Sequence, residues 1–162
     1  MMFVHYMDSV LGRLTLSSDG EALTGLVFEE ERHPQDRSAA VEEAVPVLLD
    51  AERQILEYLG GWRKSFDLPI RPQGTEFQQR VWGKLCEIPY GETISYLQLA
   101  VRVGNEKAVR AVGLANGKNP ISIVVPCHRV IGADGKLVGY GGGVWRKEKL
   151  LELEGMRSGK LF

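Results

Sequence analysis

Two short segments of the same kind, Thr75-Glu76-Phe77-Gln78 and Ser95-Tyr96-Leu97-Gln98, constrain the fold of this chain more than anything else in it. Each is a capping box. The hydroxyl accepts from the backbone amide three residues on, the glutamine side chain accepts from the amide of the first residue, and a helix starts there. Phe77, Val81, Trp82 and Leu85 follow the first box at helical spacing, and Pro89-Tyr90-Gly91 ends that helix. The second box opens a short helix to Val103. Gly104-Asn105 breaks it, and Asn105 can cap a third helix from Glu106 to about Asn116. Two short helices joined by a tight glycine-containing turn read either as a helix-turn-helix or as an ordinary corner of a helical protein. A closing helix from Arg146 to Gly155 turns Leu150, Leu151 and Leu153 toward a core.

The chain before these helices has a different period. Gly12 to Ser17 alternates with period two, Asp19-Gly20 is a turn, and Leu23 to Phe28 is a second strand, which together predict a hairpin. Glu42 to Leu59 carries Val45, Leu48, Leu49, Ile55, Leu56 and Leu59 at helical spacing and stops at Gly60-Gly61. Phe66 to Pro69 reads as a short strand, and Arg71-Pro72-Gln73-Gly74 as a linker. The expectation is an α+β protein of two domains. Residues 1–72 form a structural α/β domain with an antiparallel sheet and a helix, and residues 73–162 a mostly helical domain. Charge changes sign at the same place. Residues 1–72 hold 7 Lys+Arg against 13 Asp+Glu, and residues 73–162 hold 13 against 8. A basic second half suits an anionic partner, though it suits a solvated face equally.

No run approaches the ~18 apolar residues of a membrane span, and the first twenty residues lack the basic start and apolar core of a signal peptide. Two cysteines do not make a disulfide framework, so a reducing cytosol is expected, or the nucleoid in a prokaryote. Cys86 falls on the first of the later helices and reads as a small buried hydrophobe. Cys127 stands in Pro126-Cys127-His128-Arg129-Val130, after a run from Ile121 to Val125 that reads as a buried strand. A thiol attacks as thiolate, so a neighbouring base or cation must help, and His128 and Arg129 are candidates. Adjacent side chains of a strand point to opposite faces, so cysteine and histidine meet only across a turn or through a water, and a bend is expected after Pro126. A buried structural cysteine is the other reading.

The third helix is thin, with Ala108, Ala111, Gly113 and Ala115, and it is charged by Lys107, Arg110 and Lys118. A thin helix suits the minor groove, about 6 Å wide against about 12 Å for the major groove. It also suits close packing on another helix. The glycine-rich stretch from Leu137 to Gly143 matches neither a phosphate loop nor a dinucleotide fingerprint.

Taken in order, Gly74-Thr75-Glu76-Phe77-Gln78, Val81-Trp82, Ile88-Pro89-Tyr90-Gly91, Ile94-Ser95-Tyr96, Arg110-Ala111-Val112-Gly113, Asn119-Pro120, Pro126-Cys127-His128-Arg129-Val130, Gly139-Tyr140-Gly141-Gly142 and Glu154 resemble the O6-alkylguanine-DNA alkyltransferase family. The likeness is strong over residues 74–154 and looser before them. It implies direct repair of damaged DNA, in which an alkyl group leaves O6 of guanine, with O4 of thymine as a further substrate, and ends on the protein's own cysteine. By that resemblance Cys127 is the acceptor, His128 draws off its proton through a water, and Glu154 orients and charge-stabilises the imidazole. Tyr96 assists protonation of the departing guanine or steers a phosphate, and Asn119 holds the turn before the cysteine. Arg110 fills the space of the flipped nucleotide, with Ala111 and Gly113 on the helix that enters the minor groove. The Val130 carbonyl and the amides of Tyr140 and Gly141 read the base edge.

The implied partner is double-stranded DNA met by a monomer, with cooperative binding along DNA left open, and no membrane. The family's occasional zinc is not expected, because His5, His33, Cys86, Cys127 and His128 have no metal-like spacing, and no cofactor is expected either. Gly141 leaves a small open loop with room for alkyl groups larger than methyl. Two other readings stand beside this one: a lesion-binding protein without transfer, and a Cys-His-Glu hydrolase.

Overall fold

A computed structural model of the chain describes residues 1–29, 39–132, 134–135, 140 and 142–156. It divides into two compact units, one of Met1–Gln73 with Pro120–Ser122 and one of Gly74–Asn119 with Ile123–Phe162. The fold is α+β. Among the described residues no helix is long and apolar enough to cross a membrane.

Among the described residues the first unit holds a four-stranded sheet and one helix. Its strands are β1 (Phe3–Met7), β2 (Leu14–Ser18), β3 (Leu23–Phe28) and β4 (Val41–Glu42), in the order β3-β2-β1-β4. The expected hairpin is β2 and β3, antiparallel with Leu14 opposite Phe28 and Leu16 opposite Leu26. β1 and β4 were not legible: β1 joins β2 antiparallel, and the two residues of β4 lie parallel to β1. The outer edge of β3 is closed rather than left open to pairing with another chain. Ile70 and Ile121 bridge it in parallel, and the amides of Leu23 and Leu26 donate to Pro69 O at 2.8 Å and Pro120 O at 2.9 Å.

Helix α1 runs Pro46–Leu59 and does not begin at Glu42, which is taken into β4. Proline at the first helical position has no amide to leave unpaired, and it keeps Val45 extended. The buried stripe is Leu48, Ala51, Gln54, Ile55 and Tyr58, whereas Leu49 and Leu56 are half exposed. Counting leucines misplaced this face, because two of its members are a small residue and an amide. Phe66 to Pro69 is not a strand. The Gln54 side chain satisfies both backbone groups of Asp67, accepting from its amide at 2.8 Å and donating to its carbonyl at 2.9 Å.

The second unit holds α2 (Glu76–Leu85), β5 (Ile94–Ser95), α3 (Tyr96–Val103), α4 (Val109–Gly117), β6 (Val130–Ile131) and α5 (Val144–Leu153), with a 3₁₀ turn at Cys127–Arg129. Both capping boxes form, on α2 and α3, with both reciprocal hydrogen bonds present in each. Gly104 ends α3 at φ 98°, a left-handed cap for which glycine carries no Cβ penalty. Asn105 caps only a turn, its carboxamide oxygen accepting from the Lys107 amide. α4 therefore starts at Val109 and not at Glu106. Cys86, the C-cap of α2, is exposed and not the buried hydrophobe expected, because it falls off the buried face made by Val81, Trp82 and Leu85. α5 starts two residues before the expected Arg146, ends at Leu153, and buries Leu150 and Leu151 but not Leu153. The segment from Ile121 to Val125 is not a strand either. After Ile121 the chain turns, and Ile123 takes φ 72° with its side chain buried. A β-branched residue in that region costs on the order of 1–3 kcal/mol, which its packing must offset.

Trp82 organises this unit. Its indole Nε1 donates to the Ala115 carbonyl at 2.9 Å, fixing α2 to α4. Gly74 lies against the same ring: a Cβ there would stand 2.4 Å from Trp82 Cη2 and 2.6 Å from Gln78 Oε1. Gly74→Val is therefore expected to push the ring out and break the first capping box. The expected loss is about 1–3 kcal/mol, the ordinary cost of overpacking, read as a lower Tm.

Candidate active site

The segment that carries Cys127 is bent by hydrogen bonds that the sequence dictates. Pro126, at φ −82° and ψ 63°, centres an inverse γ-turn closed by the Cys127 amide on Val125 O at 2.8 Å. The 3₁₀ turn follows at once, with the Arg129 amide on Pro126 O at 3.0 Å. The Asn119 amide group donates to Val125 O at 2.8 Å, and that of Asn116 reaches Cys127 O at a long 3.5 Å. The expected bend after Pro126 is thus present. It leaves the thiol, outside any disulfide, 5 % exposed.

His128 and Arg129 converge on Glu154, the residue just after α5. Glu154 Oε2 is 2.8 Å from His128 Nε2 and accepts from Arg129 Nη2 at 3.0 Å. Its Oε1 accepts from Arg129 Nε at 2.9 Å and from the Gly91 amide at 3.2 Å. Arg129 Nη1 donates to Ile88 O at 2.6 Å, and its guanidinium stands 5.8 Å from the centre of the Tyr90 ring. All three side chains are buried. The Glu154 carboxylate is fully enclosed, with the Arg129 guanidinium as its counter-charge.

Burial drives the His128 imidazole below the ordinary histidine range. Glu154 opposes that shift, while the positive charges of Arg129 and Lys147 reinforce it. The ring is neutral at neutral pH. A neutral imidazole facing a carboxylate donates from Nε2, so Nδ1 holds a lone pair, and Nδ1 is buried with no hydrogen-bond partner in the protein. This is the state a general base requires.

Two further groups are within electrostatic reach of the thiol. The Tyr96 phenol is pushed up by burial and by the neighbouring Cys127, with a hydrogen bond from Asn116 opposing, so it stays protonated and able to donate. Lys147, buried on α5, is lowered to about 8 by desolvation, against the opposing attraction of Cys127. Its Nζ is 5.9 Å from the centre of the Tyr96 ring. Sequence reading missed Lys147, because a lysine on an amphipathic helix reads as solvated. The only available signal was its place three residues ahead of the buried Leu150.

The remaining residues fall in two groups. Val130 pairs with Ile94 and Ile131 with Ser95 through β6 and β5, which brings the start of α3, and so Tyr96, beside the turn that holds Cys127. Tyr140 is half-buried, and its carbonyl accepts from the Gly143 amide at 2.9 Å. Gly141 lies outside the described residues, as does most of the glycine-rich stretch. Arg110 and Ala111 are not gathered at the thiol. They lie with Leu114 and Gly117 on an outward stripe of α4, followed by the exposed Lys118, while Ala115 and Asn116 face inward. Gly113 sits between, beneath the Tyr96 ring. Among the described residues no three His, Cys, Asp or Glu side chains are grouped so as to hold a metal ion.

Comparison with known proteins agrees over both halves. Residues 76–156 match the model of the 6-O-methylguanine DNA methyltransferase DNA binding domain, and residues 2–72 that of the ribonuclease-like domain of the same proteins. A methylated-DNA–protein-cysteine methyltransferase of Methanosarcina acetivorans is 47 % identical over 95 % of this chain and 99 % of its own. One from Mycobacterium tuberculosis is 49 % identical over 96 % of this chain and 94 % of its own. The crystal structure of Mycobacterium tuberculosis OGT in complex with DNA superposes with a TM-score of 0.88 at 49 % identity, covering 94 % of this chain and 92 % of that one. With the cysteine turn, its buried imidazole and carboxylate, and both halves matched in order, the chain belongs to the 6-O-methylguanine DNA methyltransferase family.

Proposed function

We propose that this protein repairs DNA by moving a methyl or other alkyl group from O6 of guanine onto Sγ of Cys127, once per molecule. The observation that carries this reading is the buried hydrogen-bonded network of His128, Arg129 and Glu154, with the buried Cys127 next to His128 in the same turn. Its one unpartnered atom, His128 Nδ1, is the atom a base would use. The thiol proton passes through a water to Nδ1, and the imidazolium is held by Glu154. The charge of Lys147 faces the sulfur and draws the thiolate. Sulfur then attacks the alkyl carbon in line. The S–C bond forms, the C–O6 bond breaks, and its electron pair stays on guanine, which takes a proton with help from Tyr96. The imidazolium gives its proton back through water to the phenol, so thiol, imidazole, water, phenol and base balance every atom and electron of this step, and it draws on no cofactor. The product is a thioether, which has no easy hydrolytic exit, so the protein is consumed.

A guanine stacked in a duplex cannot offer its O6 substituent to a buried sulfur. The nucleotide must leave the stack, at a cost of a few kcal/mol. The outward stripe of α4 is the surface we assign to the minor groove. Arg110 enters the gap, Ala111 and Gly113 allow close approach, and the Val130 carbonyl with the Tyr140 and Gly141 amides reads the base. Asn119 keeps the acceptor turn in shape through Val125. The basic second half supports phosphate contact with salt-dependent, weakly sequence-specific affinity. We place the protein in the cytoplasm, or on the nucleoid of a prokaryote, as a monomer. Domain roles follow: residues 73–162 bind DNA and accept the alkyl group, and residues 1–72 are structural.

Cys127→Ser tests this reading. The expected result is no transfer from a duplex containing O6-methylguanine, with unchanged binding to that duplex. Transfer at the native rate would overturn it.

A further inference from the structure

Arg146 counts toward the basic second half, yet only 4 % of it is exposed, so its charge is not part of the surface that would meet phosphates. Its Nη1 donates to the Gly142 carbonyl, four residues back, at 2.7 Å, and its guanidinium stands 4.5 Å from the centre of the Trp145 ring. Gly142 lies inside the turn from Tyr140 to Gly143, which the Gly143 amide closes on Tyr140 O at 2.9 Å. Gly143 then leaves the turn at φ 92°, a conformation glycine takes without strain, and a Cβ there would stand 3.2 Å from Trp145 Cδ1. The amides of Arg146 and Lys147 both donate to Gly143 O, at 3.1 and 3.3 Å. The first turn of α5 thus sends the Arg146 side chain back to the preceding turn and carries Lys147 Nζ to 5.9 Å from the centre of the Tyr96 ring. Burying a guanidinium is costly, and an apolar side chain on this face would pack at lower cost. What the arginine adds is a short, charge-assisted hold on a carbonyl outside its own helix.

We infer that Arg146 is a positioning residue for the flipped guanine: by gripping the Gly142 carbonyl it keeps the Tyr140–Gly143 turn in the shape that receives the base. The inference rests on the assignment of that turn to base recognition made above. It adds that the turn is braced from behind, by a side chain that contacts neither phosphate nor base. A turn left to relax shifts the base against the sulfur, and a misplacement of about 1 Å is enough to slow an in-line attack strongly.

The test compares Arg146→Met, which keeps a long stem and loses every donor, with Arg146→Lys, which keeps a cation able to donate to one carbonyl. Four quantities are read: the single-turnover rate of methyl transfer at saturating duplex O6-methylguanine, the affinity for undamaged duplex, the rate at which iodoacetamide alkylates Cys127 as mapped by peptide, and Tm. Arg146→Met is expected to slow transfer by about 10–10²-fold, with duplex affinity and iodoacetamide rate unchanged, and Arg146→Lys to fall between it and native protein. Weakened duplex binding would overturn the inference by making Arg146 a phosphate contact. An equal slowing of the iodoacetamide reaction would overturn it by placing the effect on the thiol, and a lower Tm with the native transfer rate would do so by making Arg146 a packing residue. Should Arg146→Met not fold, Arg146→Lys alone carries the test, slower transfer at native duplex affinity being the expected result. Native protein that forms no methyl-Cys127 would instead overturn the underlying functional reading, so the two failures are distinguishable.

Discussion

Glu154→Ala is expected to lower folding stability by about 3–5 kcal/mol, the range for removing one member of a buried ion pair. The carboxylate receives His128 Nε2, two nitrogens of Arg129 and the Gly91 amide within 2.8–3.2 Å. Without it the guanidinium keeps Ile88 O but loses its counter-charge inside the protein. At roughly 2–4 °C per kcal/mol for a chain of this size, the Tm should fall by about 6–20 °C. A thermal melt measures it. Glu154→Gln keeps the shape and should fall less, yet lose most transfer, because a neutral amide cannot stabilise an imidazolium. A Glu154→Ala melt indistinguishable from native would show the network to be energetically idle.

His128→Leu should separate chemistry from stability. It removes the base, so single-turnover methyl transfer is expected to slow by about 10²–10⁴-fold. Glu154 keeps its bonds to Arg129 and Gly91, so Tm should move far less than in Glu154→Ala. The same variant has a signature in pH. The folded protein holds His128 below its ordinary range, so as pH falls through about 6.5 the unfolded chain takes up a proton that the folded chain refuses. Stability contributed by the neutral ring is therefore present above that pH and lost as pH falls toward the folded pKa. Urea midpoints at pH 7.5 and 5.5 should differ more for native protein than for His128→Leu. Equal slopes would mean that His128 titrates alike in both states.

Local rules fixed much of this site in advance. Two capping boxes placed α2 and α3, and Pro126 placed the bend that carries Cys127, because each acts over a few residues. Ordered motif matches supplied His128 and Glu154. What stayed hidden depends on distant partners. β4 is two residues whose only merit is a place beside β1, and Gln54 stands in for a strand through its side chain. Lys147 and Asn116 look like surface residues until the turn at Cys127–Arg129 is brought beside α4 and α5. Cys86 was misread for a similar reason, since which face of α2 is covered depends on the helices packed against it.

The central claim is tested most directly by the intact mass of the protein after reaction with excess duplex containing one O6-methylguanine, followed by mapping of the modified peptide. The expected result is a single methyl group on Cys127, rising to one per molecule and stopping there. Retained binding to the duplex with no change in mass, or continued release of free methylated product, would contradict it.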